Sequence, residues 1–162
     1  MRTETINVYK YAELTEEAKD TAFSAYLSNE YEHSYLKENI ASVRAFCDFF
    51  GVSIKDYSLG TCSYSYIKTD VCNAHMRGVK PSSPIHLIDS WGTGYCMDYS
   101  LLEGWEDYLK ENPSDTLGAF KSAIGKAATD IVKDMEWQES QEYYEEMAEG
   151  NELEYLANGA YY

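Results

Sequence analysis

Beyond Lys133 the sequence has no lysine and no arginine, although 29 residues remain. Thirteen bases stand against 28 acids in the whole chain, a net charge of −15. Nine of those acids (Asp134, Glu136, Glu139, Glu142, Glu145, Glu146, Glu149, Glu152 and Glu154) fall in the base-free tail. The tail therefore carries −9 and the residues before it −6. Such a field disfavours direct contact with DNA or RNA and favours a cationic partner. No apolar stretch approaches the ~20 residues that a membrane span needs. The opening Met1-Arg2-Thr3-Glu4-Thr5 lacks the apolar run of a signal peptide, so the expectation is a soluble, cytoplasmic protein that stays where it is made. Gly92-Thr93-Gly94 lacks the further glycine and the lysine of a phosphate-binding loop. The four cysteines, Cys47, Cys62, Cys72 and Cys96, are too sparse for a disulfide scaffold and are expected to be reduced thiols.

The 162 residues, 44% of them hydrophobic, suffice for one domain over 1–162 with a core of its own. Thr5 to Tyr11 alternates like a strand. Thr15 is placed to cap a helix whose Leu14, Ala18, Ala22 and Ala25 share one face. Asn29 and Glu32 read as a capping box before a helix striped by Leu36, Ile40, Val43, Cys47 and Phe50, stopped at Gly51. Residues 52–70 alternate as a hairpin. Ile85–Trp91 and Tyr95–Tyr99 read as two further strands around a Gly92-Thr93-Gly94 turn, and Ser100 with Glu103 as a second capping box. The longest helical pattern runs from Asp115 to Ala148, with Gly118 and Gly125 as candidates for a close helix approach. Asn158-Gly159 signals a closing hairpin. The expected fold is α+β: an antiparallel sheet with three or four helices packed against it and one long, acidic C-terminal helix.

On that helix Glu139, Glu142, Glu145, Glu146 and Glu149 recur every three or four residues. Carboxylates one turn apart lie ~5–6 Å from each other, close to the phosphate spacing of a nucleic-acid strand. A solvated face would show the same row. Tyr143 and Tyr144 add rings suited to cation–π contact with arginine and lysine, and sixteen tyrosines in all also suit packing with wet hydroxyls. The partner-binding set is thus Glu139, Glu142, Tyr143, Tyr144, Glu145, Glu146 and Glu149. A metal site would draw on Cys62, Cys72, His75, His86 and Cys96. Only Cys72-x-x-His75 has ligand spacing, so neither metal nor cofactor is expected. A cysteine-dependent enzyme would use Cys96 with His86 and Asp89, which form no local signature, and no catalysis is expected.

The run Ile6-Asn7-Val8-Tyr9-Lys10-Tyr11-Ala12-Glu13-Leu14-Thr15-Glu16-Glu17-Ala18-Lys19 resembles the start of a group of small phage and prophage proteins, some labelled antitoxin-like. Phe50 to Tyr57 is similar to that group's helix-to-strand junction, and Asn158-Gly159 to its closing turn. The resemblance implies a mobile-element origin and carries no functional residue. With the charge, it leads to the expectation of an inhibitor of anti-CRISPR or anti-restriction type. Such a protein would bind a basic host protein, a CRISPR effector or other nuclease, by occlusion or nucleic-acid mimicry. An antitoxin that neutralises a basic partner is the alternative.

Overall fold

The computed structural model describes residues 6–28, 34–61 and 64–162. The chain groups into two compact units, Met1–Tyr31 with Glu136–Tyr162, and Glu32–Met135. Each has a hydrophobic cluster of its own. Among the described residues there are seven α-helices, one 3-10 turn and one two-stranded antiparallel sheet, an α+β fold. None of these helices is long and apolar enough to cross a membrane.

The first unit contains the 3-10 turn Tyr11–Glu13, α1 (Glu16–Ser28), the last residues of α6 (Thr116–Gln138) and α7 (Gln141–Gly150). The strand expected from Thr5 to Tyr11 is reduced, within the described residues, to one bridge between Tyr9 and Tyr155. The reason is local: the Lys10 N–H donates to the Glu13 carboxylate at 2.8 Å, which curls the chain into the turn. Thr15 caps α1 as expected, its Oγ1 accepting from the Ala18 N–H. That helix buries the small side chains Ala18 and Ala22. The closing segment is likewise a bridge, Tyr155 to Tyr161, around a tight turn in which Gly159 has φ +86° and Asn158 Oδ1 accepts from the Ala160 N–H.

Aromatic rings fill this core. Tyr144 stacks on Tyr26 at 4.8 Å and meets the edge of Tyr11 at 5.3 Å. Its hydroxyl lies 3.0 Å from that of Tyr155 and 3.1 Å from that of Tyr161. Burial pushes the Tyr155 hydroxyl up to about 12 and holds Tyr144 well above the ordinary tyrosine value of 10.0. The folded state therefore keeps protons that the unfolded chain releases from about pH 10 upward, so stability is intact below that pH and falls above it. The expected slope is about 1.4 kcal/mol per pH unit for each of the two tyrosines. Urea unfolding between pH 9 and 12 checks this. Tyr144→Phe should flatten the decline, and an unchanged slope would refute the assignment.

The second unit holds α2 (Ser34–Phe49), β1 (Ile54–Ser58), β2 (Tyr66–Thr69), α3 (Ser83–His86), α4 (Ile88–Trp91), α5 (Cys96–Glu111) and most of α6. The α2 stripe buries Ile40, Val43, Cys47 and Phe50 as its spacing requires. Gly51 ends the helix at φ +66°, with the Val52 N–H returning to the Cys47 carbonyl. The expected hairpin is β1–β2, pairing Asp56 with Lys68, Tyr57 with Ile67 and Ser58 with Tyr66, with a register shift between Ile54 and Asp56. Phe46, Phe50, Trp91, Trp105 and Phe120 interlock at ring distances of 5.1–6.3 Å.

Several expectations are corrected. Ile85–Trp91 falls in two short helices, because Pro84 supplies a helix-start φ and the Trp91 indole N–H reaches back to the Pro84 carbonyl at 3.0 Å. Tyr95–Tyr99 is not a strand either. Asp98 gathers the Thr93 and Gly94 amides, and α5 begins at Cys96, four residues before the expected cap at Ser100. Of the two glycines expected at a close helix approach, Gly118 does lie against α5, where a Cβ would run into the Tyr108 side chain, whereas Gly125 faces open space; Gly104 is a further close approach, where a Cβ would lie 2.9 Å from the Ala123 Cα. The capping box of Asn29 and Glu32 lies outside the described residues.

Candidate anionic interaction surface

The helix expected from Asp115 to Ala148 is two helices, broken at Glu139 and Ser140. Ser140 adopts an extended backbone and its Oγ accepts from the Tyr143 N–H at 3.1 Å while donating to the Trp137 carbonyl at 2.6 Å. That hydroxyl ends α6 and caps α7. The cap also sets the rotation of α7, which turns Tyr144 and Ala148 inward, at 0% and 1% exposure.

Glu142, Glu145, Glu146 and Glu149 stand exposed on the opposite side. They are linked by steps of three and four residues, so each has a like charge about 5–6 Å away. Among the described residues these four make no ion pair: Lys10 pairs with Glu154 at 3.4 Å and Lys19 with Glu16 at 3.2 Å. Glu145 does help hold Lys19 protonated, after the larger effect of Glu16. The first unit has fourteen acids and three bases, a net −11, and the second fourteen and ten, a net −4. The anionic field is therefore concentrated on one unit, and within it on an exposed helix face.

Three members of the expected binding set are placed differently. Glu139 sits in the break before α7 and is half-buried, out of register with the four exposed carboxylates. Tyr143 is half-buried with its ring edge-on to Trp137 at 6.2 Å. Tyr144 is removed from the surface altogether, because its ring is the centre of the aromatic core. Spacing alone does not single Tyr144 out, since Tyr143 and Met147 are four residues apart just as Tyr144 and Ala148 are.

Of the other candidate groups, Cys72 and His75 are brought together, with Sγ 3.2 Å from Nδ1, and the Cys96, His86 and Asp89 set is not. Cys96 opens α5, His86 ends α3 and Asp89 lies in α4; all three are exposed, and no hydrogen bond joins them. No group of three or more His, Cys, Asp or Glu among the described residues is placed to hold a metal ion. Cys62 lies outside those residues. Cys47, Cys72 and Cys96 are free thiols, and burial pushes Cys47 up to about 12. An open groove of about 430 Å³ is lined by Arg44, Asp48, Lys55, Asp56 and Tyr57, cations and anions together.

The Asp98 hub has no signature in spacing or composition. Its carboxylate is 4% exposed and accepts from the Thr93 N–H at 2.7 Å, the Gly94 N–H at 2.8 Å and the Thr93 hydroxyl at 3.1 Å. Ser42 joins through Thr93 at 2.7 Å. Its work is structural. No family model, curated protein or solved structure matches the chain, so what its surface does has to follow from charge, burial and geometry.

Proposed function

We propose that the protein is an inhibitor of phage type. Its α7 face docks on the cationic, nucleic-acid-binding surface of a host defence nuclease, such as a CRISPR effector, and keeps nucleic acid out. The observation that carries this reading is the set of four exposed carboxylates, Glu142, Glu145, Glu146 and Glu149, with no ion pair of their own among the described residues. A row of like charges weakens its helix slightly. The hydroxyl cap and the aromatic core hold it in place regardless. A preformed anionic face lowers the ordering cost of association and steers a cationic partner towards it.

Reversing the four charges, with Glu142→Lys, Glu145→Lys, Glu146→Lys and Glu149→Lys together, tests the reading. Binding to purified CRISPR effectors and inhibition of their DNA cleavage would be measured for both proteins. The unaltered chain should bind and inhibit, and the variant should lose about tenfold or more in affinity while its circular dichroism is unchanged. Raising the salt should weaken the unaltered chain, since exposed charges are screened. Equal inhibition by the folded variant, or affinity indifferent to salt, would remove the proposal.

A further inference from the structure

The segment after β2 brings a thiol and an imidazole together. Cys72 is exposed, and its Sγ lies 3.2 Å from His75 Nδ1. The Cys72 backbone N–H donates to the same Nδ1 at 3.1 Å, and the His75 N–H returns to the Cys72 carbonyl. Because Nδ1 accepts a backbone proton, it is the unprotonated nitrogen and the ring proton sits on Nε2. The thiol therefore shares the Nδ1 lone pair with its own backbone N–H. Two residues before Cys72, the Asp70 carboxylate pairs with Lys55 at 2.8 Å and accepts from the Ser53 N–H at 2.7 Å, which ties this segment to the start of β1. The other described cysteines lack this setting: Cys47 is buried, and Cys96 is exposed with no such base beside it.

We infer that Cys72 and His75 form a modification site at which the Cys72 thiol exchanges with small-molecule disulfides of the glutathione class. His75 Nδ1 takes the proton from Sγ, and the sulfur lone pair attacks one sulfur of the disulfide. A mixed disulfide forms on Cys72 as the original S–S bond breaks, and the departing thiolate takes the proton from His75. One disulfide is consumed and one thiol released, with no other oxidant.

The test uses the full chain and the neutral probe 4,4′-dithiodipyridine at neutral pH, with the labelled cysteines assigned by peptide mass. Cys72 should react about tenfold faster than Cys96, and glutathione disulfide should add to the same peptide. His75→Asn puts a carbonyl oxygen near the Nδ1 position, so the backbone N–H keeps an acceptor while the base is gone. Cys72 should then fall to the rate of Cys96, with Cys96 itself unchanged. Equal rates at Cys72 and Cys96 in the unaltered chain overturn the inference without any variant. So does an undiminished Cys72 rate in His75→Asn while Cys47 stays unlabelled, which reports an intact core.

Discussion

Alanine at Gly159 is expected to destabilise the first unit by about 3 kcal/mol. Two effects act together there. Gly159 has φ +86°, a backbone region that L side chains rarely adopt. A Cβ at that position would also run into the Ala18 carbonyl oxygen of α1, a backbone atom that cannot swing aside. Relief would require the 156–160 turn to back away from α1. That turn is fixed by the Leu156 N–H to the Ala160 carbonyl at 2.8 Å and leads into Tyr161, which stacks on Tyr155 at 5.1 Å. Hydrogen exchange at the Tyr9 and Tyr155 amides, which bond across to each other's carbonyls at 2.9 Å, reports the loss. Gly125→Ala is the control. It meets nothing within 4 Å and should be neutral or stabilising by up to about 1 kcal/mol, the helix propensity difference. Similar behaviour of the two variants would show that the turn does not constrain the unit.

Asp98→Ala should cost the second unit about 3 kcal/mol. The substitution leaves the amides of Thr93 and Gly94 and the Thr93 hydroxyl without their acceptor. A donor so stranded costs its desolvation, which exceeds the net gain from making the bond. Asp98→Asn separates this account from one based on charge alone. Its single oxygen can still serve both amides, which meet the same carboxylate oxygen, while its NH2 faces the Thr93 hydroxyl. It should lose about 1 kcal/mol. Chemical denaturation of the three proteins gives the comparison, and an alanine variant as stable as the asparagine one would refute the hub.

Helices with an apolar stripe and a stop signal were legible, and α2 with Gly51 is the clearest. Periodicity there reports burial directly, and Phe46, off the quoted stripe, only widens it. Ile85–Trp91 reads as a strand in sequence because alternation in a short apolar run does not separate a strand from a pair of tight helical turns. What decides is the Trp91 indole reaching the Pro84 carbonyl, seven residues away. The break at Ser140 was hidden in an unbroken helical pattern, since serine is a tolerable interior residue and its capping role appears only in the backbone it adopts. The four exposed carboxylates could be read from spacing. Tyr144 could not be told from its neighbour Tyr143 by composition, because which of two adjacent rings turns inward is set by the rotation that the Ser140 cap gives α7.

The bridge between Tyr9 and Tyr155 ties together segments almost the whole chain apart. Contacts so distant in sequence form slowly, and during synthesis Tyr9 has no mate until Tyr155 has left the ribosome. The 32–135 unit is one continuous stretch and is free to organise first. A nascent chain stalled before Tyr155 would thus have its second core and no seat for Tyr9, so the support beneath the acidic face of α7 is completed only after that core.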